Sequence, residues 1–129
     1  MSEGKSYIRH GMGAVRPYLY GNLELPAFLT SVFGAEIVES TPNRADGSHV
    51  EMRLADSVFV IETGTTLADG PRGSVYVYVE DAGATYRQAL QNGAAPVEEP
   101  SLKPYGEYAG SFKDTFGNTW WIGTYQGSE

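Results

Sequence analysis

Apolar positions along the chain change period several times, and each change marks an element. Residues 14–20, "AVRPYLY", predict a strand that Gly21-Asn22 ends. Over 22–36 the apolar residues Leu25, Phe28, Leu29, Val32 and Phe33 fall at i, i+3, i+4, i+7 and i+8. That spacing is the buried stripe of an amphipathic helix. Asn22 is placed to cap it, Pro26 is tolerated only near its start, and Gly34 is a natural stop. "EIVES" (36–40) predicts a short strand and "TPNRADG" (41–47) a turn-rich loop. In "SHVEMRL" (48–54) Val50, Met52 and Leu54 alternate with His49, Glu51 and Arg53, as in a strand with one apolar face. "DSVFVIE" (56–62) predicts a further apolar strand.

The same order then recurs. "SVYVYVE" (74–80) predicts a strand, and "DAGATYRQALQNGA" (81–94) a helix capped by Asp81 and stopped by Gly93. Its stripe is Ala82, Tyr86, Ala89 and Leu90. Strands follow at 95–100, 109–114 and 119–125, with a loop over 101–108 and a Phe116-Gly117-Asn118 turn. The two helix stops, Gly34 and Gly93, align "FGAE" with "NGAA", and the same offset lays "VRPYLY" on "SVYVYV". The pattern therefore predicts two β-α-β-β-β units: an arm over 1–13, one domain over 14–125, and modules 14–62 and 74–125 joined by a linker over 63–73. Sheets with one uncovered face on each module would border a common cleft.

Composition narrows the partners. Nine basic against sixteen acidic side chains give a net charge of −7 in 129 residues. A nucleic-acid backbone needs a basic footprint, so that partner is not expected. Neutral or cationic ligands are favoured over anionic ones. The chain has no cysteine, which excludes disulfides, thiolate metal sites and a cysteine nucleophile. No apolar run reaches the roughly 18 residues of a membrane span, and the start has no apolar signal-like stretch. The expectation is a cytoplasmic protein with no membrane partner.

Five stretches, in order, resemble the vicinal oxygen chelate superfamily of glyoxalase and bleomycin-resistance proteins, most nearly its PhnB-like branch. They are "VRPYL", "FLTSVFGAEIVE", "HVEMRLADSV", "VYVYVEDAGATYRQALQNGA" and "KPYGEYAGSFKDTFGNTWWI". The resemblance implies an α+β fold of two βαβββ modules forming a cupped, mostly antiparallel mixed sheet, helices outside and ligand inside. It also implies a homodimer. Metal-dependent members carry four ligands, His or Gln on the strand that opens each module and Glu on the strand that closes it. Carried over, those positions fall near Val15, Val60, Ser74 and Trp121. The family pattern D-P-x-G-N-x-x-E reads "DTFGNTWW" here, with Trp121 in the glutamate's place. Valine and indole offer a cation no lone pair, and serine is a poor ligand alone. Near Val60, Glu62 is the only acid of matching parity. No bound metal or other cofactor is expected.

The candidate site is aromatic. Adjacent strand residues point to opposite faces, so Trp120 is expected on the helix side with Ile122, and Trp121 on the ligand side. Ser74, Tyr76 and Tyr78 share a parity and are expected on the same side as Trp121. Such rings suit a planar or cationic small molecule. His49 and Glu51 share one strand face. They could form an acid–base pair or bind metal, although a solvated or dimer-contact face is the plainer expectation. His10 in the arm is expected to be solvated. Glu98, Glu99 and Glu107 read as solubility charges, with Glu107 and Tyr105 able to reach the cleft rim. The leading reading is a metal-free small-molecule-binding protein, sequestration of a toxic compound being its most concrete form. The alternative is a divalent-metal-dependent lyase, isomerase or dioxygenase, whose ligands would have to come from His49, Glu51 and Glu62.

Overall fold

The computed structural model describes residues 7–43, 46–64 and 70–126. Residues 1–6 of the predicted arm, 44–45 of the predicted loop and 65–69 of the predicted linker lie outside the described residues. The first module comprises β1 (Tyr18–Gly21), α1 (Glu24–Phe33), β2 (Glu36–Pro42), β3 (Ser48–Leu54) and β4 (Ser57–Thr63). The second comprises β5 (Ser74–Tyr78), α2 (Ala82–Gln91), β6 (Ala95–Leu102), β7 (Glu107–Lys113) and β8 (Thr119–Tyr125). Each module folds into a four-stranded mixed sheet, in the orders β1-β4-β3-β2 and β5-β8-β7-β6. The opening and closing strands of each module pair in parallel, and all other pairs are antiparallel. The α+β pattern of two βαβββ units is thus present, as two sheets rather than one continuous one.

The helices start and stop where short-range chemistry dictates. Asn22 Oδ1 accepts the Glu24 N–H at 2.7 Å, and Asp81 Oδ1 accepts the Ala84 N–H at 3.0 Å. Gly34 ends α1 at φ 73°, a left-handed conformation that costs glycine nothing. Leu25, Phe28, Leu29 and Val32 are buried as a stripe, each contributing about 1.5–3 kcal/mol by leaving water. Strand β1 begins at Tyr18, four residues later than the pattern predicts. Pro17 lacks an N–H, so pairing opens with its carbonyl, which accepts from Val60 N at 2.9 Å. Ahead of it, Arg16 Nε turns back to the Gly13 carbonyl at 2.9 Å. Strand β6 runs two residues further than predicted, to Leu102.

One core joins the modules, and Trp120 is at its centre. Its side chain is fully buried, with ring centroids 5.4 Å from Phe33 of α1 and 5.7 Å from Phe59 of β4. A buried indole N–H needs an acceptor. Asp114 supplies it: Oδ2 accepts from Trp120 Nε1 and Asn118 Nδ2, each at 2.9 Å. Oδ1 accepts the backbone N–H groups of Phe116 and Asn118 at 2.8 and 3.1 Å. Gly117 takes the positive φ, 89°, that this tight turn requires. Asn118 Oδ1 then accepts the Gly73 N–H at 2.8 Å, which fixes the approach to β5.

Trp120 therefore faces the helix side and Trp121, half-buried, the other. Trp120→Ala removes the ring shared by both modules and leaves Asp114 short of a donor. The expected loss in denaturant unfolding is about 3–5 kcal/mol.

Candidate functional site

The pleat sends one set of side chains from each sheet away from the helices, and these open faces hold the candidate chemistry. The ladder registers superimpose the modules. Tyr18, Val60 and Glu51 lie side by side across β1, β4 and β3, and Tyr76, Trp121 and Ser111 lie side by side across β5, β8 and β7. Val60 and Trp121 thus occupy equivalent places, as expected. The residues beside them on the opening strands are Tyr18 and Tyr76. Val15 lies outside β1 and is 87% exposed, and Ser74 is exposed one step before Tyr76 on the same face.

On the first sheet the open face is a network of charges. His49 is held between two carboxylates, Nδ1 at 2.6 Å from Glu62 and Nε2 at 3.1 Å from Glu51. With a carboxylate beside each nitrogen, the ring donates from both when it is protonated. The hydrogen bond to Glu62 is the main reason its pKa is raised; partial burial opposes it. Tyr18 Oη donates to Glu62 at 2.5 Å and Asn43 Nδ2 at 3.0 Å. Burial pushes the Glu62 pKa up, but the bonds from Tyr18, His49 and Asn43 outweigh it, and the net direction is down. The same hydrogen bond, seen from the phenol, raises the Tyr18 pKa to about 12.

The arm completes this network. His10 is exposed, as expected, and its Nε2 also lies 2.7 Å from Glu51. Arg16 approaches Glu51 at 3.5 Å, and Arg9 binds Glu39 on β2. On this strand face Glu51 is buried, His49 half-buried and Arg53 exposed, so the face is covered at one end and solvated at the other. The alternation in "HVEMRL" was legible, but nothing local says that residues 9–16 fold back over it.

The second sheet's open face is aromatic. Tyr76 and Tyr78 stand 5.3 Å apart between ring centroids. Both hydroxyls donate to Glu107, Tyr78 at 2.6 Å and Tyr76 to the other carboxylate oxygen. The bond from Tyr76, then that from Tyr78, lowers the Glu107 pKa. Burial, then the bond to Glu107, raises that of Tyr76. To reach Glu107, Tyr76 crosses β8 over Gly123, where any Cβ would collide with the Tyr76 hydroxyl. Gly123 is a residue that sequence reasoning missed, because a glycine mid-strand has no local signature of what crosses it. Beside Trp121, Ser111 Oγ is buried without a hydrogen-bond partner among the described residues.

The six expected site residues thus form two groups. His49 and Glu51 belong to the first face, and Ser74, Tyr76, Tyr78 and Trp121 to the second. Among the described residues no hydrogen bond or ring contact joins them. A groove of about 380 Å³ runs along the free edge of β5, between Tyr76 and Tyr78 on one wall and Val15, Pro17 and the β3–β4 hairpin on the other.

The donor set does not fit a divalent metal. Of the four register positions, Val60 and Trp121 offer no lone pair, and the hydroxyls of Tyr18 and Tyr76 are already hydrogen-bond donors to carboxylates. His49 already has a carboxylate against each ring nitrogen. His10, Glu39 and Glu51 bring ligand atoms within 4.8 Å of one another, but the guanidinium groups of Arg9 and Arg16 already neutralise those carboxylates.

The network's pH dependence follows from these shifts. A raised His49 pKa stabilises the fold fully below the free imidazole value of about 6.5 and stops doing so as pH rises through the folded value. Lowered Glu51 and Glu62 pKa values stabilise it above the free glutamate value of about 4.3 and stop doing so as pH falls through the folded values. The network should therefore be strongest between those limits. Urea unfolding of wild type and His49→Asn should show the largest difference in mildly acidic buffer, shrinking as pH rises past the folded His49 value.

Comparison with known proteins agrees with this architecture. Comparison with curated proteins gives no match. Among solved structures, TioX from Micromonospora sp. ML1 is 17% identical with a TM-score of 0.66, over 87% of this chain and 99% of that one. TnmS3, an antibiotic binding protein from Streptomyces sp. CB03234, is 17% identical with a TM-score of 0.65, over 86% and 95%. A glyoxalase/bleomycin resistance protein/dioxygenase family enzyme from Burkholderia phytofirmans PsJN is 18% identical with a TM-score of 0.67, over 85% and 94%. At such identities the likeness is one of fold. The model of the Glyoxalase/Bleomycin resistance protein/Dioxygenase superfamily matches residues 26–122, most of both modules, and the chain belongs to that superfamily.

Proposed function

We propose that this protein binds a small planar organic molecule without a metal, on the open face of its second module. The observation that carries the reading is the half-buried Trp121 beside Tyr76, in the register position where metal-dependent relatives of the fold would need a carboxylate. An indole and two phenols present flat faces to a planar ligand. Buried, unpartnered Ser111 Oγ next to Trp121 offers one polar group to fix its orientation. The superfamily includes bleomycin-resistance proteins, and the structural neighbour TnmS3 is an antibiotic binding protein. Sequestration of a toxic compound is consistent with both. The metal-dependent reading is disfavoured because His49, Glu51 and Glu62 satisfy one another. His49 and Glu51 then serve the first face as structural charges rather than as ligand contacts.

Trp121 separates binding from folding. Trp121→Ala should cost the fold much less than Trp120→Ala, because its ring is only half-buried. It should weaken a stacked planar ligand by roughly 1–3 kcal/mol, the range for bases stacked on aromatic side chains. Unfolding curves and fluorescence titration read the two effects. Equal destabilisation by both substitutions would make Trp121 a core residue and end this reading.

Assembly and metal content follow from the same proposal. Native mass spectrometry of the purified protein should give a homodimer of the 14.0 kDa chain with no metal equivalent. One tightly held divalent ion per chain after dialysis would overturn the metal-free reading.

A further inference from the structure

Glu107 is a buried carboxylate whose partners among the described residues leave its charge without a counterion. It opens β7, and the rings of Tyr76 and Tyr78 cover it to 9% exposure. Its two oxygens accept two phenol hydroxyls, and among the described residues no Lys, Arg or His pairs with it. The other buried acids are provided for. Glu51 has Arg16 at 3.5 Å as well as His49, and Glu62 has His49. Asp114 has four N–H donors, two of them from the backbone. Covered charges are normally matched by an opposite one. Each Glu107 oxygen uses one lone pair on a tyrosine and keeps another.

Around this carboxylate stand four tyrosines. Tyr76, Tyr78, Tyr105 and Tyr125 are 39, 62, 59 and 58% exposed, unusually open for so many large rings in one place. Tyr125 is the register partner of Glu107 on β8, and Tyr105 lies in electrostatic reach of both Tyr76 and Tyr78. Aromatic faces are electronegative, so rings grouped about an anion attract a weakly hydrated organic cation. A hard divalent ion would not suit the place, since one carboxylate and four phenols fall short of the six or more oxygen ligands it needs. Anionic ligands would meet both Glu107 and a net charge of −7.

We propose that Tyr76, Tyr78, Tyr105 and Tyr125 around Glu107 form a subsite for the ammonium nitrogen of the bound molecule, making its substrate class a planar compound with a cationic amine. This rests on the binding reading above, since β8 places the subsite next to Trp121: Trp121, Gly123 and Tyr125 alternate along one strand face. The Tyr76 hydroxyl lies over Gly123, between Trp121 and Tyr125.

The test uses a matched pair of probes, N-methylquinolinium and neutral quinoline in mildly alkaline buffer. Affinities are read from Trp fluorescence quenching, with NMR ring-current shifts of the N-methyl protons as a second readout. Wild type should bind the cation about tenfold more tightly than quinoline, with the N-methyl signal moved upfield. Glu107→Gln, which keeps acceptor and shape, should bring the two affinities together by weakening the cation more than quinoline. Tyr105→Leu and Tyr125→Leu, at exposed positions, should weaken the cation alone. Equal wild-type affinities, with quenching that Trp121→Ala abolishes, would overturn the cation subsite and leave the planar-ligand reading standing. A cation preference kept in folded Glu107→Gln would likewise overturn the subsite. Cation binding lost in Glu107→Gln but untouched by Trp121→Ala would uphold the subsite and overturn the stacking role. Failure of both probes to bind would overturn both.

Discussion

The arrangement depends on the bond from the Trp120 indole to Asp114 and on what that ring touches. Trp120 is the residue through which the second module's closing strand meets α1 and β4 of the first. A ring of that size at the meeting of two sheets excludes water from both, but only if its N–H is satisfied. Asp114 does this while also closing the β7–β8 turn, and Asn118 passes the constraint on to Gly73 and so to β5. One buried carboxylate thereby sets the register of β8 against β7 and β5. Strand parity does the rest: with Trp120 committed to the core, Trp121 must stand on the open face.

The two modules use the same device and carry it to different ends. In each, a tyrosine on the opening strand gives its hydroxyl to a glutamate of its own sheet, Tyr18 to Glu62 and Tyr76 to Glu107. In the first module the glutamate is then neutralised from within, by His49, while the arm brings Arg9, His10 and Arg16 onto the neighbouring carboxylates. Its charges are answered within the chain. In the second module no such segment returns over the sheet's aromatic wall among the described residues, and Tyr76 and Tyr78 are exposed there. The asymmetry between two otherwise superimposable sheets is why a ligand is assigned to one of them.

The sequence by itself determined what is local. The helix stripes, the Asn22 and Asp81 caps and the glycine stops each follow from interactions within a few residues, as does the opposite facing of Trp120 and Trp121. The repeat of five elements was legible for the same reason, and with it the superfamily resemblance that the family match bears out. Only the tertiary structure decided the rest. That His10 meets Glu51 across 41 positions, that Tyr76 reaches Glu107 across 31, and that Gly123 must be bare beneath it are facts about strand order. Read locally, Glu107 is a loop-end charge, and His49 and Glu51 are one side of an alternating strand. Burial and partners change the chemistry of such groups, and both are set by segments far away in sequence. Long-range pairing leaves no periodic trace in the residues that it brings together, so the elements could be read from the chain, while the charges that answer one another across them could not.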